Sequence, residues 1–60
     1  MKNLEYAKKW FELNNLKASI DDGSLYITID SFDIQVSTAE VNYRAELFLE
    51  SELQGVKVNA

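Results

Sequence analysis

Four aspartates, Asp21, Asp22, Asp30 and Asp33, and three serines, Ser24, Ser31 and Ser37, are the side chains that come nearest to a reactive constellation. Paired carboxylates share general acid and base work when burial lifts one of them. A serine attacks a carbonyl when a neighbouring base takes its proton. The chain contains no His and no Cys, which removes the usual base near neutral pH, the usual strong nucleophile and the usual zinc ligands. All four aspartates fall at or beside turns, where Asp tolerates positive φ, bonds its own backbone and stays in water. Around Asp30 and Asp33 the alternating acids, Gly and distant Glu of a calcium loop are missing, and Asp22-Gly23 lacks the other glycines and the Lys of a phosphate loop. The expectation is a chain with no catalytic residue, no metal and no cofactor, whose work is recognition.

For recognition the second half of the chain offers more. Tyr43 and Leu47 stand four residues apart in a helical stretch, flanked by Glu46 and Glu50 and continued by Glu40. Such a face has two apolar anchors, and its carboxylates select a basic partner. The plainer reading is a solvated face that keeps a small protein soluble. Asp21 and Asp22 add an acidic turn, and Trp10 is a further anchor if it lies exposed. Charge is unevenly spread. Residues 1 to 20 carry four Lys against two Glu, while residues 21 to 60 carry eight acids against Arg44 and Lys57, for a net −4 overall. Attraction to nucleic acid or to an anionic membrane is disfavoured, since both depend on Lys and Arg. The partner expected is a protein with a basic surface.

The elements that position these residues are set by hydrophobic periodicity. Leu16, Ala18 and Ile20, then Leu25, Ile27 and Ile29, then Phe32, Ile34 and Val36 alternate with polar residues, as half-buried strands do. A two-residue Asp22-Gly23 loop is a strong hairpin signal and sets Ile20 opposite Leu25, Ala18 opposite Ile27 and Leu16 opposite Ile29. Taking Asp30-Ser31 as a second loop places Ile29, Ile27 and Leu25 opposite Phe32, Ile34 and Val36. The result is an antiparallel meander with one apolar face; Lys17, Ser19, Tyr26, Thr28, Asp33 and Gln35 occupy the wet one.

A helix is expected over residues 3–14, with Leu4, Ala7 and Phe11 toward the sheet, Tyr6, Trp10 and Leu13 toward the second helix or an outside partner, and Asn14-Asn15 as its end. Ser37 and Glu40 have the spacing of a capping box, and Val36 with Val41 that of a hydrophobic staple. The second helix should run to Leu53 or Gln54 with Gly55 as its stop, turning Val41, Ala45, Phe48 and Leu49 inward. Val56 and Val58 extend an edge or fray. The fold class is therefore α+β in the order α-β-β-β-α, a three-stranded meander with two helices on one face.

At 60 residues there is room for one small α+β domain spanning 1–60, its tail from 55 frayed. Such a domain buries only about 60% of the surface its unfolded chain exposes. An apolar content of 47% nonetheless calls for a packed core rather than disorder. No apolar run approaches the roughly 20 residues of a membrane span, and Glu5, Lys8 and Lys9 interrupt any signal-peptide core. The expected location is the cytoplasm.

This order of elements resembles the double-stranded-RNA-binding domain over nearly the whole chain. Members of that family that bind RNA carry Lys residues at the start of the second helix and a His-bearing loop between the first two strands. The corresponding stretches here are Ser37-Thr38-Ala39-Glu40 and Asp21-Asp22-Gly23-Ser24, neither with a basic residue, so no RNA-binding residue carries over. The resemblance implies the family's protein-binding and dimerising variants as the nearer comparison. The functional expectation is a small acidic protein-binding module, an inhibitor or regulator of a larger nucleic-acid-processing protein acting as a nucleic-acid mimic; in size and charge it resembles small phage-encoded inhibitors of that kind. The alternatives are a self-associating structural protein that forms a homodimer, and a degenerate double-stranded-RNA-binding-like domain.

Overall fold

The structure, a computed structural model, describes residues 2 to 53. The elements run α1 (Lys2–Leu13), β1 (Lys17–Asp21), β2 (Ser24–Ile29), β3 (Phe32–Val36) and α2 (Thr38–Leu53). The architecture is an α+β meander in the order α-β-β-β-α, the sheet antiparallel in the order β1-β2-β3. No helix among the described residues is long and apolar enough to cross a membrane. The expected stop at Gly55 and the strand-like Val56 and Val58 lie outside the described residues.

Local chemistry accounts for each turn. Asp22 and Gly23 adopt φ of 50° and 75°, and Asp30 and Ser31 adopt 51° and 73°. Two successive left-handed residues make the mirror-image turn whose twist matches that of antiparallel strands. Both hairpins take the expected register: Ile20 faces Leu25 and Ala18 faces Ile27, and across the second pair Leu25, Ile27 and Ile29 face Val36, Ile34 and Phe32. The one expected pair that does not form is Leu16 with Ile29; the first ladder ends at Lys17 opposite Thr28.

The cause of that early end is the cap of α1. Asn15 sits at φ 68°, its N–H donates to the Glu12 carbonyl at 3.0 Å, and the Leu16 N–H donates to the Phe11 carbonyl at 2.9 Å. This pair of bonds is the Schellman closure of a helix, with Asn in the left-handed position. Leu16 thus belongs to the cap and packs against the core there.

Ser31 is the costliest of the left-handed residues. An L side chain in that region loses about 1–2 kcal/mol, and replacing it by Gly returns that at an unfolded-state entropy cost of about 0.5–1 kcal/mol. Ser31→Gly should therefore stabilise the chain by roughly 0.5–1 kcal/mol, read as a higher urea midpoint at unchanged slope. An unchanged or lower midpoint would show that the serine hydroxyl contributes what the glycine relieves.

At the start of α2 the Ser37 hydroxyl accepts from the Glu40 N–H at 3.2 Å, and the Ser37 carbonyl accepts from the Val41 N–H at 2.9 Å. Val36 and Val41 are both buried, as a staple requires. The capping box is only half built, however. The Glu40 carboxylate accepts from Arg44 Nε at 2.6 Å instead of reaching back to the Ser37 N–H.

The core joins Ala7 and Phe11 of α1, Ala18, Leu25 and Val36 of the sheet and Val41 of α2, with Leu4, Trp10, Leu16 and Ile27 packed against it. α1 lies across β1 and β2, whereas α2 packs chiefly along α1 and only slightly on the sheet. Two departures from the sequence-based expectation follow. Leu49, expected inward, is exposed. The apolar face of β3 is covered only at Val36: Ile34 is 46% exposed and Phe32 72%.

Candidate functional site

Residues 40, 43, 46, 47 and 50 recur at three- and four-residue spacing, so α2 brings them onto one side. Tyr43 is 53% exposed, Glu46 and Glu50 are exposed, and Leu47 and Glu40 are half-buried. Leu47 thus gives this face part of its side chain, and Tyr43 is its main apolar projection.

Arg44 organises the rest of the surface. It is the only Lys or Arg between residues 38 and 53. Its guanidinium pairs with Glu40 and lies 4.4 Å from the centre of the Trp10 ring and 5.1 Å from that of Tyr43. A guanidinium over an aromatic face is held by the ring quadrupole, most strongly over Trp. Trp10 also meets the Phe11 ring edge-on at 5.3 Å and is half-buried. It therefore joins α1 to α2, and only its remaining surface is open to a partner.

With Arg44 engaged by Glu40, Glu46 and Glu50 form no ion pair among the described residues. Their carboxylates lie on one side of Tyr43, and α2 has no Lys or Arg besides Arg44 to pair with them. Asp21 and Asp22, also exposed, sit on the tip of the first hairpin. That tip approaches the start of α2, since Gly23 and Ser24 line one cleft together with Ser37, Thr38 and Val41.

On the wet side of the sheet, Thr28 Oγ1 donates to Asp33 Oδ1 at 2.7 Å and Gln35 Nε2 donates to Ser24 Oγ at 3.1 Å. Asp33 is therefore tied into a cross-strand pair. Among the described residues no group of three or more His, Cys, Asp or Glu is placed to hold a metal ion.

Sequence reasoning missed the exposed apolar group formed by Ile29, Phe32 and Ile34. The signal was present in the length of β3 and the position of Phe32 next to a turn. Its exposure depends on where α2 comes to rest. Comparison with known proteins gave no matching family model, no matching curated protein and no matching solved structure.

Proposed function

We propose that this chain is a small non-enzymatic protein-binding module that engages a basic surface of a larger protein through the outer side of α2. The observation that carries this reading is Tyr43, more than half exposed beside Glu46 and Glu50, neither of which is in an ion pair among the described residues. An aromatic ring supplies contact area at low entropic cost, and uncompensated carboxylates around it steer and select a cationic partner. A row of carboxylates at helical spacing also presents negative charge to a groove built for phosphates. On this reading the partner is a nucleic-acid-processing protein, and the chain inhibits or regulates it by occupying that groove.

The test is affinity capture from the native host with the wild-type chain and with the Glu46→Lys, Glu50→Lys double variant. Both positions are exposed, so circular dichroism of the variant should match the wild type. A basic partner retained by the wild type should bind the variant roughly tenfold or more weakly, and wild-type binding should fall with added salt and with competing duplex nucleic acid. Equal affinity of the two chains for the captured protein would remove this face from the interaction. Equal affinity with and without competing nucleic acid would remove the mimicry.

A further inference from the structure

Among the described residues no strand pairs with the outer edge of β3. Both two-residue turns make their flanking residues hydrogen-bonded pairs, so the phase of the whole ladder follows. Phe32, Ile34 and Val36 direct their N–H and C=O groups to β2, while Asp33 and Gln35 direct theirs outward. No turn, loop or cap backbone bond among the described residues takes up those outward groups. Edge strands are normally guarded by charged side chains, Lys above all, or by Pro, a bulge or a covering element, and among the described residues β3 has of these only the single charge of Asp33. In β3 the sequence is Phe-Asp-Ile-Gln-Val and its register is unbroken.

We infer that a second copy of this chain pairs antiparallel with β3 about a twofold axis through Ile34, forming a continuous six-stranded sheet. Three features single out this occupant and register. First, the axis sets Asp33 opposite Gln35 of the second copy, twice, so the outward N–H and C=O groups of both residues are satisfied reciprocally. Second, the charges match. The only ionised side chain on β3 faces a neutral amide rather than its own equivalent, and Gln35 has a second N–H beyond the one given to Ser24 with which to meet that carboxylate. Third, the apolar faces coincide. Ile34 meets Ile34 at a position without hydrogen bonds, where side chains approach most closely. Phe32 of the second copy falls opposite Val36, beside a groove lined by Phe11, Ile27, Ile34, Val36 and Arg44. The most exposed aromatic of the strand and the groove beneath its other end are thus brought together, twice over, by one symmetry operation.

This pairing uses the sheet edge and needs none of Tyr43, Glu46 and Glu50, so it survives if the α2 reading fails. The test combines sedimentation of the full chain from low micromolar to near-millimolar concentration with amide hydrogen exchange. The expected result is a species of twice the 6.9 kDa chain mass that dissociates on dilution, with the Asp33 and Gln35 amides protected in the dimer and unprotected in the dilute monomer. Phe32→Glu, at an exposed position, should raise the dissociation constant at least tenfold while preserving the circular dichroism spectrum. A monomer throughout the series with fast-exchanging Asp33 and Gln35 amides overturns the proposal. A monomer in which those amides are protected at every concentration also overturns it, since another part of the same chain then covers the edge. So does a dimer in which they remain unprotected, because a different surface then joins the copies.

Discussion

Leu25→Ala should leave the chain without a cooperative unfolding transition, or with one so shifted that much of the population is unfolded in buffer alone. Leu25 is the one large side chain of the described residues that is entirely removed from solvent. It sits on the central strand, opposite Ile20 on one side and Val36 on the other. Truncating a buried Leu costs roughly 2–5 kcal/mol, the upper end applying where neighbours cannot collapse into the space. Neighbours held by ladders on both sides have little freedom to do so. A chain of this length is stable by roughly 3–9 kcal/mol in all, so the substitution consumes much or all of it. The measurement is urea unfolding followed by far-ultraviolet circular dichroism, at micromolar concentration so that self-association does not add to the stability. A midpoint within error of the wild type would mean that the centre of the sheet is not where the core lies.

Phe11→Ala should be of similar severity, and its contrast with Leu13→Ala tests how α1 is oriented. Phe11 is buried, and Leu13 two residues on is 49% exposed. The cost expected for Phe11 is roughly 3–5 kcal/mol, against about 0.5 kcal/mol or less for the surface change. Phe11 also presents its ring to the edge-on contact with Trp10, so its loss should loosen the cation–π stack of Arg44 on Trp10. Trp10 fluorescence should then shift to the red in Phe11→Ala and stay in place in Leu13→Ala. Equal destabilisation by the two variants would mean that α1 is rotated about its axis from the orientation described.

Much of this architecture is written in short-range signals. Asp22-Gly23 and Asp30-Ser31 take up left-handed backbone because neighbouring atoms dictate it, and each turn then propagates its register down a ladder whose side-chain period is two. Asn15 closing α1 and Ser37 opening α2 are equally local, each a matter of three or four residues and one or two hydrogen bonds. The amphipathic division of α1 is likewise a property of its own spacing. The identity of the acidic α2 face could also be read in this way, since residues 43, 46, 47 and 50 share a side of any helix that contains them.

What lay beyond the sequence is where α2 comes to rest. A helix with apolar residues at Val41, Ala45, Leu47, Phe48 and Leu49 has more than one side that can be buried, and its own periodicity does not choose among them. Contacts from distant parts of the chain choose: the Tyr6 ring stacks on Phe48 at 5.9 Å, Arg44 covers Trp10, and Asn3 Nδ2 donates to Asn42 Oδ1 at 2.8 Å. These draw α2 along α1 and away from the sheet. Glu40 turns from its cap to Arg44, Leu49 stays more than a third exposed, and Ile34 and Phe32 stay exposed on an edge that no other described strand pairs. Periodicity specifies which residues share a face; it takes the packing of one face against another to decide which of them water still reaches.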